Sequence, residues 1–76
     1  MRKLTLYTTL GCHLCDDARE LLAATIGPHI QFDEIDIGAN DALTERYGTR
    51  IPVLRRDTGQ ELNWPFSAPE IAAFLR

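Results

Sequence analysis

Nowhere in the 76 residues do eighteen apolar residues stand together, so no helix long enough to span a membrane is expected. The opening Met1-Arg2-Lys3-Leu4-Thr5-Leu6-Tyr7 carries two positive charges but no apolar run of signal-peptide length. With Met1 read as the initiator, no removed leader is expected, and the chain reads as soluble and cytoplasmic. Basic charge is scarce: 8 Lys and Arg stand against 11 Asp and Glu, a net charge of -3. No sequence-wide positive field therefore exists to hold nucleic acid or an anionic membrane. The imbalance is local, with eight acids and one base (Arg19) from Asp16 to Glu45, and Arg46, Arg50, Arg55 and Arg56 clustered after them. Repeats, low-complexity tracts and linkers are absent, and the chain is too short for two independent cores, so residues 1–76 read as a single domain; a monomer is expected. Cysteine and histidine number two each. That is few for a structural zinc site, which needs four ligands.

What is present suits a small globular domain: 45% of residues are hydrophobic and 25% charged. Leu4-Thr5-Leu6-Tyr7-Thr8 alternates in part and reads as a strand that ends before Gly11. From His13 onward Leu14, Ala18, Leu21, Leu22 and Ile26 recur at spacings of three and four, the pattern of an amphipathic helix, which Gly27-Pro28 stops. Ile30 to Ile37 alternates again and makes a second strand, completing a β-α-β unit whose two strands should be parallel. A short helix is expected over Asp41 to Tyr47, with Asn40 or Asp41 as cap and Gly48 as its stop. Pro52 to Arg55 and Gln60 to Asn63 flank Arg56-Asp57-Thr58-Gly59 and read as a β-hairpin. Last, Ser67-Ala68-Pro69-Glu70 is a capping box, with Phe66 and Ile71 placed as a hydrophobic staple ahead of a final helix. The order β-α-β-α-β-β-α predicts a small α/β structure, a mixed four-stranded sheet with helices packed on it.

Both cysteines fall in Gly11-Cys12-His13-Leu14-Cys15, where the first strand turns into the first helix. Zinc within one chain is disfavoured, since His13 lies between the thiols and His29 about a helix length away; a metal shared between two chains stays open. As a staple, so short a loop contributes roughly 2 kcal/mol, and a reducing cytoplasm would open it. Redox chemistry fits the position better. At the helix start, unpaired N–H groups and the helix dipole stabilise a thiolate, making Cys12 the candidate nucleophile. A thiol of pKa about 8.5 is roughly 3% ionised at pH 7, and lowering the pKa to about 7 ionises half of it. Cys15, one turn inside and more shielded, is the candidate resolving thiol. His13 would add charge beside Cys12 when protonated, the alternative being an exposed first-turn residue. Asp16 and Asp17 read as solvated helix-start residues.

The Cys-x-x-Cys after a first strand in β-α-β, followed by Arg50-Ile51-Pro52-Val53 opening a hairpin, resembles the thioredoxin superfamily, and within it the compact glutaredoxin-like proteins. "LYTTLGCHLC…RYGTRIPVL" is similar to the bacterial glutaredoxin-like type with a C-x-L-C site. The resemblance spans essentially the whole chain and implies a thioredoxin-like fold. It also implies a cis Ile51-Pro52 bond facing the cysteines, with the Ile51 backbone free to pair with an extended substrate segment. Arg50, and less directly Arg46, would supply carboxylate-binding charge, plain solvated charge being the alternative. The sequence departs from the common glutaredoxin pattern in three places. His13-Leu14 stands where Pro-Tyr is usual, Thr8-Thr9 replaces a basic position, and Asn63-Trp64-Pro65-Phe66 occupies the place of a Gly-Gly turn. Trp64 is expected to pack against the last helix.

The resemblance implies a thiol:disulfide oxidoreductase acting on disulfides of proteins or low-molecular-weight thiols. No bound cofactor or metal is expected, and reducing equivalents would come from glutathione or a reductase system. The alternative is a non-enzymatic thioredoxin-fold module that binds a partner or shares a metal between chains.

Overall fold

The computed structural model describes residues 3–26 and 31–76. Strand β1, Lys3–Thr8, lies inside a four-stranded sheet of order β2-β1-β3-β4, formed with β2 (Gln31–Asp36), β3 (Val53–Arg56) and β4 (Glu61–Asn63). β1 runs parallel to β2, with Leu4 opposite Phe32 and Thr8 opposite Asp36. It runs antiparallel to β3, with Leu6 opposite Leu54 and Tyr7 opposite Val53. The two-residue period of β1 separates its side chains between two cores. Leu4 and Leu6 join Ala18, Leu22, Leu54, Phe66, Ile71 and Leu75 on one face, while Tyr7 joins Ile37, Tyr47 and Val53 on the other. Each fully buried Leu or Ile contributes about 1.5–3 kcal/mol relative to exposure.

Helix α1, His13–Thr25, buries Cys15, Ala18 and Leu22 at the expected spacings of three and four. Its expected stop at Gly27-Pro28 lies outside the described residues, as do His29 and the strand position Ile30. The second strand was expected to reach Ile37 and ends one residue sooner. Asp36 accepts the Gly38 N–H at 2.9 Å through its carboxylate, which turns the chain into a single 3-10 turn, Ile37–Ala39. Ile37 is thereby buried on the face of Tyr7.

Asn40 caps helix α2, Asp41–Tyr47, by accepting the Leu43 N–H at 3.1 Å. Gly48 follows, but its φ of -52° is right-handed, so it does not stop the helix by a left-handed turn. Glycine is needed there for space: a Cβ would lie 2.5 Å from the Thr44 carbonyl oxygen. β3 and β4 each begin one residue later than expected. Pro52 has no N–H to give a ladder, and its carbonyl accepts the Trp64 N–H at 3.3 Å. The hairpin turn depends on Gly59, whose φ is +92°.

Helix α3, Ala68–Phe74, carries the capping box as expected. Ser67 Oγ accepts the Glu70 N–H and Glu70 Oε1 accepts the Ser67 N–H, while Phe66 and Ile71 sit together in the core. Trp64 meets Phe66 edge-on at 5.0 Å and packs against that same core. The helices α1 and α3 thus cover one sheet face and α2 the other, in the α/β arrangement read from the sequence.

Candidate active site

The chain leaves β1 at Thr8 and reaches α1 through Thr9, Leu10, Gly11 and Cys12. Gly11 has φ +77° and a Cβ there would meet no atom, so its conformation, not lack of space, favours glycine. Cys12 is the N-cap of α1, extended at φ -92° and ψ 107°, and its Sγ accepts the Cys15 N–H at 3.1 Å. A sulfur in the role usually taken by a Ser or Asp oxygen meets one of the unpaired donors of the helix start. Cys12 is half-buried and Cys15 has no exposed surface. The two are joined as a disulfide, with Cα atoms 5.2 Å apart. His13 and Leu14, between them, are both exposed.

The pairing of Tyr7 with Val53 brings Thr8 and Pro52, the next residue in each direction, to the sheet end from which the cysteine loop departs. Pro52 is buried, Ile51 half-buried, and the bond between them cis. A second cis bond, Trp64-Pro65, follows β4. The Ile51 backbone is not wholly free, contrary to expectation. Tyr47 lies at the end of α2, and its carbonyl accepts both the Arg50 N–H at 2.8 Å and the Ile51 N–H at 3.2 Å. The Arg50 side chain meets the chain's own acceptors, Glu61 Oε1 and Asn63 Oδ1, each at 3.0 Å, and stands 5.4 Å from the Tyr47 ring. Arg46 lies over the same ring, 3.9 Å from Glu61.

Two clusters beside the site were not read from the sequence. Tyr47, fully buried, stacks on Tyr7 at 4.3 Å and donates its hydroxyl to Glu61. That hydroxyl and Arg50 hold the Glu61 carboxyl below the usual range, while burial and Glu61 push the Tyr47 phenol up. On the other face, Arg19 Nε reaches Glu34 Oε1 and Arg19 Nη1 reaches Asp16 Oδ1, both at 2.7 Å. Thr8, itself buried, donates to Glu34 at 3.2 Å. Arg19 and then Thr8 hold the Glu34 carboxyl down, and the two carboxylates raise the Arg19 guanidinium further. Asp16 is therefore paired and not merely solvated, while Asp17 is exposed. The signals were faint: an Asp16/Arg19 spacing of three on a helix, and Glu34 on the same strand face as Phe32.

Thr8, Thr9, Leu10, Arg19, Glu34 and Asp36 line a depression of about 150 Å³ next to the cysteine loop. Among the described residues no three His, Cys, Asp or Glu side chains converge as a metal site. No helix among them is long and apolar enough to cross a membrane.

The fold recurs in solved structures. The chain is similar to target protein XcR50 from X. campestris, with 49% identity over 95% of this chain and 93% of that one and a TM-score of 0.85. It is also similar to protein Ne2328 from Nitrosomonas europaea, with 32% identity over 96% and 89% and a TM-score of 0.71. A malarial protein, 14% identical with a TM-score of 0.66, shares the fold alone. No curated protein matches the chain. The model of the Glutaredoxin-like domain (DUF836) matches residues 3–76, so a chain with a Cys-x-x-Cys pair at the head of its first helix belongs to that glutaredoxin-like family.

Proposed function

We propose that this single domain is a thiol:disulfide oxidoreductase in which Cys12 attacks and Cys15 resolves. The observation that carries the reading is the inequality of the two sulfurs: Cys12 half-buried at the helix N-cap, accepting a backbone N–H, and Cys15 wholly buried one turn inside. A hydrogen bond to a charged acceptor stabilises it by about 1.5–3 kcal/mol, and the helix N-terminus adds about 0.3–1. Both effects favour a thiolate over the neutral thiol at this position once the disulfide is reduced.

In the reductive direction the Cys12 thiolate attacks one sulfur of a client disulfide. The client's S–S bond breaks, and one client sulfur leaves as a thiolate that takes a proton from water. Cys15 then loses its proton and attacks Cys12 Sγ, and the second client sulfur leaves the same way. The client has gained two electrons and two protons, and the protein holds a Cys12–Cys15 disulfide. Two glutathione molecules, or a dithiol reductase, return the electrons, so no resident cofactor or metal is required. Ile51 and Pro52 lie at the sheet end from which the cysteine loop departs, and in this reading the Ile51 carbonyl is the backbone acceptor for an extended client. His13 adds positive charge beside Cys12 when protonated. Arg50, already paired with Glu61 and Asn63, binds a client carboxylate only by exchanging those partners. The setting consistent with reduced, exchanging thiols is the cytoplasm, and the working unit is the monomer.

The test is pH-dependent alkylation of the reduced protein, together with exchange on glutathionylated and insulin disulfides. The expected result is a Cys12 thiol that reacts as a thiolate at lower pH than an ordinary cysteine, with turnover. An ordinary thiol pKa with no exchange on either substrate overturns the reading in favour of a binding module.

A further inference from the structure

Leu10 is 88% exposed and Leu14 48% exposed, the two most exposed large apolar side chains among the described residues. Each stands two residues from Cys12, so each Cα lies within about 7 Å of the Cys12 Cα. Single exposed leucines are ordinary on protein surfaces. Here two flank one sulfur, one before it in the loop and one after it in the first turn of α1.

We propose that Leu10 and Leu14 form an apolar rim that docks a polypeptide disulfide, one whose cysteine is flanked by apolar and cationic residues. The proposal rests on the redox reading above and names its substrate class. Two observations select the occupant. A small disulfide has too little apolar surface to cover both leucines, whereas a stretch of no more than about four extended residues is enough to reach from one to the other. Charge selects further. Asp16 follows Cys12 by one helical turn, and Glu34 and Asp36 line the depression that Leu10 borders. The one cation in this group, Arg19, is already bound to Asp16 and Glu34. Three carboxylates thus stand beside one guanidinium already paired with two of them, a field that favours a lysine or arginine side chain over a carboxylate next to the client cysteine. The electron count is that given above: the client disulfide accepts two electrons and the cysteine pair supplies them, with a thiol reductant closing the cycle.

The test compares kcat/KM on three substrates: a short peptide disulfide with Leu and Lys beside its cysteine, the same peptide with Ser and Asp, and hydroxyethyl disulfide. The expected result is at least tenfold preference for the Leu/Lys peptide over the Ser/Asp peptide, shrinking as salt rises. In the double variant Leu10→Ser, Leu14→Ser, the ratio of the Leu/Lys peptide to hydroxyethyl disulfide should fall about tenfold. Both side chains are exposed, so thermal unfolding should not move; Asp16→Asn, made separately, should weaken only the Lys preference. Reduction of hydroxyethyl disulfide with no difference between the peptides overturns the rim and leaves the redox reading standing. Absence of exchange with all three overturns both. A monomer–dimer equilibrium that vanishes in the double variant assigns the rim to a second copy and likewise overturns the proposal.

Discussion

Replacing Tyr47 by Phe removes one oxygen from the middle of the fold and leaves its ring in place. That ring is fully buried, stacked on Tyr7 at 4.3 Å, and its hydroxyl donates to Glu61. A hydrogen bond to a charged partner contributes about 1.5–3 kcal/mol. Glu61 keeps Arg50 at 3.0 Å after the change, and its side chain is 16% exposed to water. The cost should therefore lie at the low end, about 1–2 kcal/mol. With about 2.1 cal/mol/K of unfolding entropy per residue, Tm should fall by roughly 6–12 °C. The effect should depend on pH in a definite sense. Tyr47 first, and then Arg50, depress the folded pKa of Glu61. Its contribution is full above the unfolded value of about 4.3 and is lost as pH falls through the folded value. Tyr47 is raised by burial and by Glu61, so its contribution is full below about 10 and is lost as pH climbs through its folded value. Thermal unfolding followed by circular dichroism should show a gap between wild type and Tyr47→Phe that is widest near neutrality and closes in acid. A gap under about 2 °C at neutral pH, or one of the same size in acid, would refute the assignment of the Tyr47–Glu61 bond.

Ser67→Ala removes half of the capping box of α3 and should cost about 1 kcal/mol, or about 4–8 °C in Tm, with Ser67→Asp restoring most of it. Leu22→Ala opens a cavity under α1 in a side chain with no exposed surface; a loss of about 2–5 kcal/mol should appear as a lower urea midpoint, and a loss below about 1 would show that the site collapses. Arg19→Gln frees the Glu34 carboxyl, so its titration followed by NMR should move up toward the ordinary carboxylate range. An unmoved midpoint would mean that the Arg19–Glu34 pair does not form in solution.

Much of the fold is legible because its local signals agree with one another. Leu4 and Leu6 alternate with Thr5 and Tyr7, Ala18 and Leu22 repeat at helical spacing, and Ser67 with Glu70 marks a helix start that any reader of caps would find. Cys12 at the head of α1 follows from the same local pattern. What stayed hidden depends on register between segments far apart in sequence. Tyr7 meets Tyr47 only because β1 pairs with β3 while α2 lies beneath them, and no local spacing encodes that contact. Arg19 meets Glu34 because β2 is parallel to β1 in a register that sets Leu6 opposite Glu34. The Ile51 N–H is engaged because α2 ends at Tyr47, four residues earlier, with its carbonyl facing the loop. Strand ends also shifted by a residue, at β2 because the Asp36 side chain turns the backbone at Gly38 and at β3 because Pro52 has no N–H for the ladder.

The most direct test of unequal roles for the two cysteines is trapping. Reduced Cys12→Ser and Cys15→Ser variants would each be mixed with a peptide disulfide and the products weighed by intact mass spectrometry. The expected result is a stable mixed disulfide on Cys12 in the Cys15→Ser protein, and little or none in the Cys12→Ser protein over the same time. Adducts forming equally fast on both variants, or only on Cys15, would contradict Cys12 as the attacking thiol.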